Sequence, residues 1–243
     1  LDMMHIAMEL ARDNPAYQDM VHKFFSHFIY ISHAMANLGA GGAGVWDAED
    51  GFYYNLLHLP EGKGVPLKIR SFVGLIPLYA GETIDPDLLD KLPKVRERMD
   101  WFLRYRPHLV EHIAPLTRPG QDGRLLLALA NREQLTRVLE RVLDPDEFLS
   151  PYGIWSVSKY HEAHPYTFYL DGEEKTVSYD PGVSRIPLLG GNSNWRGPIW
   201  FPVNYLLIES LRKYDRYYGD TLKVEFPTGS GNRITLGEVA NEL

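Results

Sequence analysis

After Asn14 large apolar residues recur at alternating spacings of four and three: Tyr17, Val21, Phe24, Phe28, Ile31 and Met35. That period puts six side chains on one helical face, and Pro15 suits the first turn. The run Gly39-Ala40-Gly41-Gly42-Ala43-Gly44 should stop this helix, because glycine adopts positive φ freely. Such a run could cradle phosphate, but it follows a helix rather than a strand, so a plain loop is expected. The segments Phe52 to Leu59 and Val65 to Ile69 flank Pro60-Glu61-Gly62-Lys63-Gly64 and predict a β-hairpin.

Helical patterning returns at Leu75 to Tyr79. Pro93 to Tyr105 reads as a surface helix facing a core, where Val95, Met99, Phe102 and Leu103 oppose Lys94, Arg96, Glu97 and Arg98. The span Asn131 to Leu143 repeats it with Leu135, Val138, Leu139 and Val142, opened by Asn131 and Glu133-Gln134. Between these two helices lie an Arg118 to Gly123 loop and a short Leu125-Leu126-Leu127 run that reads as extended. Tyr166 to Tyr179 predicts a second small hairpin about Asp171-Gly172. A last helix is expected from about Pro198 to Tyr214, with Ile199, Val203, Leu206, Leu207 and Leu211 inward. The fold class is therefore all-α with small β-hairpin insertions, unlike the strand-helix alternation of a parallel α/β protein.

At 243 residues with 44% hydrophobic and 23% charged positions, the chain can build a large core. Its net charge of -7 and scattered Lys and Arg argue against a nucleic-acid partner. It has no Cys, which removes disulfides and thiolate chemistry. No apolar run approaches the ~20 residues of a membrane helix, and the opening residues do not resemble a secretory leader. No membrane partner is expected, and a cytoplasmic location is the default. Leu1 opens directly into the apolar series Leu1, Met4, Met8, and Thr235 to Ala240 begins a helical pattern near the last residue. Residues 1-243 are therefore expected to be one incomplete domain, cut at both ends.

Several aromatic residues fall in loops beside polar groups, the combination a pyranose needs: a flat ring for its C–H face and hydrogen-bonding side chains for its hydroxyl rim. Trp46-Asp47-Ala48-Glu49-Asp50-Gly51-Phe52-Tyr53-Tyr54 offers a Trp beside three carboxylates; a turn cluster with Trp46 in the core is the alternative. Its carboxylates lack the spacing of an EF-hand calcium loop. Leu149 to Tyr160 is rich in aromatics and hydroxyls, and a loop plugging the core is the preferred reading; His161 and His164 add only a weak metal pair. No metal or cofactor is expected. Gly190-Gly191-Asn192-Ser193-Asn194-Trp195-Arg196-Gly197-Pro198-Ile199-Trp200 concentrates amides, a guanidinium and two indoles, and favours binding over a loop locked by cation–π contact.

This last segment, continued by Phe201-Pro202-Val203-Asn204-Tyr205-Leu206, resembles the signature of the bacterial branch of glycoside hydrolase family 63. Trp46 to Tyr54 and Leu149 to Gly153 resemble that family's segments in the same order. The resemblance implies part of an (α/α)6 toroid and an oligosaccharide or small glycoside substrate, an α-glucoside or one of mannosylglycerate type. It implies an inverting mechanism, with two carboxyl groups ~6.5–9.5 Å apart so that water fits between them. It places the acid upstream of this chain and the base downstream of Val224 to Gly231, so neither catalytic group is expected here. Sugar-pocket roles carry over to Trp46, Asp47, Asp50, Asn192, Trp195 and Arg196, and also to Tyr53 and Trp200; Asp47 or Asp50 as the acid is the rival assignment. Asn55 stands where the family has Asp, and Trp155 where it has Arg. A carbohydrate-binding or scaffolding module without hydrolysis is the competing reading.

Overall fold

The computed structural model describes residues 1–38, 44–59, 64–170, 172–181 and 199–243. Its helices are α1 (Asp2–Asp13), α2 (Gln18–Ala36), α3 (Ile76–Tyr79), α4 (Pro86–Asp90), α5 (Pro93–Tyr105), α6 (Pro107–Val110), α7 (Arg132–Val142), α8 (Tyr160–Ala163), α9 (Phe201–Tyr218) and α10 (Leu236–Glu242). Short antiparallel pairs lie between them. These are β1 (Trp46–Asp47) with β2 (Phe52–Tyr53), β3 (Asn55–His58) with β4 (Gly64–Leu67), and β5 (Gly81–Ile84) with β6 (Leu125–Ala128). Later in the chain come β7 (Leu149–Ser150) with β8 (Gly153–Ile154), β9 (Tyr166–Leu170) with β10 (Glu173–Val177), and β11 (Lys223–Glu225) with β12 (Arg233–Thr235). The described chain is mostly helical with small two-stranded pairings.

The surface helices follow their hydrophobic period. α5 buries Val95, Met99 and Phe102, and α7 buries Leu135, Val138, Leu139 and Val142. In α2 the inward stripe is rotated from the one expected: Val21, Phe25, Phe28, Ile29 and Ser32 are buried, whereas Tyr17 and Ile31 are exposed. Two causes act. Pro15–Tyr17 forms a separate 3-10 turn, capped by the Asn14 side chain accepting from the Ala16 N–H at 3.1 Å. α2 also carries apolar residues on more than one face, and α5 selects the face with Phe25, whose ring meets Phe102 edge-on at 5.7 Å. α2 ends at Ala36, and the glycine run at 39–43 lies outside the described residues.

The hairpin expected from Phe52 to Ile69 is two units. Phe52 and Tyr53 pair backwards with Asp47 and Trp46, and Asn55 to His58 pairs forwards with Leu67 to Gly64. The expected turn at 60–63 lies outside the described residues. α9 runs past the expected Tyr214 to Tyr218, because Tyr217 and Tyr218 are buried; Gly219, at φ 47°, ends it. Leu206, expected inward, is exposed, since the buried stripe passes through Val203, Leu207, Ser210, Leu211 and Tyr214.

Two apolar clusters share the β5–β6 ladder. Leu127 and Ile84 pack with α1, α2 and α5, while Leu126 and Ala128 pack with α7, α9 and α10. Successive side chains of a strand point to opposite faces. Leu125-Leu126-Leu127 is therefore apolar throughout, because both faces of this strand are covered.

Candidate functional site

The segment Trp46 to Tyr54 folds as a tight hairpin. The Asp47 carboxylate accepts from the N–H groups of Glu49 at 3.0 Å and Asp50 at 2.9 Å, closing the turn that β1 and β2 flank. Gly51 takes φ 64°, and a Cβ there would lie 2.5 Å from Arg137 Nε. The register sets Trp46 opposite Tyr53 and Asp47 opposite Phe52. The two aromatics therefore share one face, with ring centroids 4.7 Å apart. The strand period thus sets Trp46 and Tyr53 on the face opposite to Asp47.

On the acidic side, Lys68 Nζ reaches Asp47 at 2.8 Å and Asp50 at 3.1 Å, and the Tyr54 hydroxyl donates to Asp50 at 3.2 Å. Burial opposes ionisation of Asp47, but hydrogen bonds from the Asp50 N–H and Lys68 outweigh it and hold the carboxyl below its ordinary value. Burial pushes the Tyr54 phenol up to about 12, which keeps it a donor. The network continues inward. Arg70 and Arg141 both bond Glu147 Oε1, at 2.8 and 2.7 Å, and the Ser158 hydroxyl donates to Oε2 at 3.0 Å. Arg141 also donates to the Asp50 carbonyl, at 2.9 Å from Nε. The Arg70 guanidinium lies over the Tyr160 ring, 3.8 Å from its centroid. Both carboxylates are thus tied to Lys68, while Arg137 and Arg141 of α7 hold the hairpin through the carbonyls of Ala48, Glu49 and Asp50.

His161 belongs to this framework. Its Nε2 accepts the Arg70 N–H at 2.8 Å and its Nδ1 donates to the His164 carbonyl at 2.9 Å, so both nitrogens are committed within the fold. Burial and then the Arg70 charge lower its pKa, against the pull of the His164 carbonyl and Glu147. A folded pKa below the unfolded value of about 6.5 gives stability that is fully present above that pH and lost as pH falls toward the folded pKa. We expect the urea midpoint to drop between pH 7 and pH 5, and His161→Gln to flatten that drop. Equal slopes in the two proteins would show that His161 does not carry it.

The aromatic face lines a cleft of about 320 Å³, walled by Trp46 and Tyr53 together with Glu111, His112, Asn131 and Gln134. Glu111 and His112 follow α6 directly, and their side chains meet at 3.2 Å. Asn131 and Gln134 open α7. Sequence reading assigned no role in a site to these four; Asn131 and Gln134 stood out only as helix-opening residues. A wider groove of about 660 Å³, bordered by Arg118, Arg132, Tyr217 and Tyr218, also has Asn131 in its wall.

Trp200 does not line the cleft. Its ring meets Phe72 edge-on at 5.6 Å beside a void of only about 10 Å³, and its carbonyl accepts from Asn204 at 3.1 Å. Asn192, Trp195 and Arg196 lie outside the described residues.

α7, with its cleft-lining Asn131 and Gln134, falls in the part of the chain that comparison with known families recognises. Residues 124–225 match the mannosylglycerate hydrolase MGH1-like glycoside hydrolase domain. This glycoside hydrolase-like stretch runs from β6 into β11, so it holds one wall of the cleft and the Glu147 anchor. Trp46, Asp47, Asp50 and Tyr53 precede it. Over its whole length the chain is also similar to the uncharacterized protein YMR196W of Saccharomyces cerevisiae, 46% identical over 255 residues, and it spans 23% of that protein's length.

Proposed function

We propose that this chain is part of a glycoside hydrolase of the family 63 kind, built on an (α/α)6 toroid, that cleaves terminal α-glycosidic bonds of α-glucoside or mannosylglycerate type with inversion. The observation that carries the reading is the match of residues 124–225 to a glycoside hydrolase domain whose α7 faces Trp46 and Tyr53 across a cleft. A ring-sized opening with an indole on one side and amide and carboxylate groups on the other suits a pyranose.

In this reading Trp46 stacks against the C–H face of a terminal sugar, and Tyr53 fixes the tilt of that indole. Asp47 and Asp50 act through the hairpin they hold, since Lys68 bonds both. The family resemblance gives Asn192, Trp195 and Arg196 hydroxyl-holding and stacking roles. The carboxylic acid that protonates the leaving oxygen and the base that activates water come from parts of the protein outside this chain.

One observation favours a second reading, a carbohydrate-binding module without hydrolysis: the paired carboxylates of the hairpin are both engaged by cations, Asp47 by Lys68 and Asp50 by Lys68 and Arg70. Release of glucose or mannose from a panel of α-glucosides and mannosylglycerate by the full-length protein decides between them. Sugar release with inverted anomeric configuration is expected. Binding without release would establish the module instead, and neither binding nor release would remove both.

A further inference from the structure

The start of α7 is closed by a capping box in which both partners are amides. Asn131 Oδ1 accepts the Gln134 N–H and Gln134 Oε1 accepts the Asn131 N–H, each at 3.0 Å. The usual box uses Ser or Thr with Glu or Gln. α10 of this chain carries that form: Thr235 Oγ1 accepts the Glu238 N–H at 3.2 Å and Glu238 Oε2 accepts the Thr235 N–H at 2.7 Å. An amide pair therefore adds nothing to the cap that Thr and Glu do not supply.

What it adds is two NH2 groups. With each amide oxygen pinned to a backbone N–H, the nitrogen on the same planar group must point away from the helix end. This also fixes which end of each amide is nitrogen. Neither NH2 has a hydrogen-bond partner among the described residues, and both residues line the cleft that Trp46 and Tyr53 wall. Glu111 supplies an acceptor in the same cleft, with one oxygen 3.2 Å from His112 Nε2. No Lys or Arg is among the described lining residues. At about 320 Å³ the cleft is at the small end of ligand pockets and fits a single ring.

We propose that Asn131 and Gln134 are the hydrogen-bond donors that read the hydroxyls of a neutral pyranose stacked on Trp46, with Glu111 as the matching acceptor. This rests on the glycoside reading and names the residues that set sugar specificity at the cleft. The helix cap is thereby also the recognition element: helix formation orients the donors before any sugar arrives, so little entropy is lost in fixing them.

Two variants of the full-length protein test this, with methyl α-glucopyranoside and methyl α-mannopyranoside as calorimetric probes. Asn131→Thr with Gln134→Glu rebuilds the α10 form of the box, keeping the cap and removing both donors. Gln134→Met removes one polar group and leaves the Asn131 cap oxygen in place. We expect an unchanged thermal midpoint for the first variant and a Kd raised about tenfold or more for each. Wild-type affinity in either variant overturns the proposal while leaving the glycoside reading intact. A wild-type protein that binds neither probe at the cleft, judged by an unaltered Trp46 signal, overturns both.

Discussion

Glu147→Ala is expected to remove about 3–5 kcal/mol of folding stability, the range for breaking a buried ion pair by deleting one partner. Glu147 is one-tenth exposed and serves two guanidiniums and a hydroxyl, from Arg70, Arg141 and Ser158. Its removal leaves Arg70, itself one-tenth exposed, without its closest counter-charge. The loss should appear as a lower urea midpoint at unchanged slope. Asp85→Ala makes the comparison, because the Arg124–Asp85 pair is surface-exposed on the carboxylate side and such pairs contribute about 0–1 kcal/mol. Similar losses from the two variants would show that the Glu147 network is not the anchor of the hairpin. Because Arg141 also holds the Asp50 carbonyl, Glu147→Ala should in addition loosen the hairpin that carries Trp46.

Trp46→Ala is expected to weaken binding of a terminal α-glucoside or α-mannoside by about thirtyfold or more, the scale of a buried aromatic anchor of roughly 2 kcal/mol. Its ring is held at one side by Tyr53, at 4.7 Å, and approached by the Arg137 guanidinium at 5.9 Å, so the indole is oriented in advance of binding. Trp46→Phe should recover part of the affinity, because a ring face is retained. Trp200→Phe should leave affinity at the cleft unchanged, since Trp200 packs against Phe72 elsewhere. Calorimetry on the full-length protein reads all three. Full affinity in Trp46→Ala would sink the stacking role and with it the cleft as a sugar site.

The locations of α5 and α7 were legible along the chain because each is a surface helix with one apolar stripe, and Pro93 and Asn131 mark their starts. The β9–β10 hairpin was legible for a similarly local reason, an alternating pair of strands about a turn dipeptide. β5 was not, because all four of its residues are buried and its partner β6 lies about forty residues away. A strand covered on both faces has no alternation to read. The motif Trp46 to Tyr54 was visible as a concentration of aromatic and acidic groups, but its composition does not say which of them face a ligand.

Sequence alone therefore determined the mostly helical class, the starts of α5 and α7, and the segments that resemble a glycoside hydrolase, since all of these depend on residues near one another in the chain. Tertiary structure decided which face of α2 is buried, that Lys68 and the Glu147 network take up Asp47 and Asp50, and that the cap of α7 meets Trp46 across a cleft. Those pairings join residues 18 to 91 positions apart, and no local period encodes them. They exist because two apolar clusters close over the β5–β6 ladder and bring distant polar side chains to the same place.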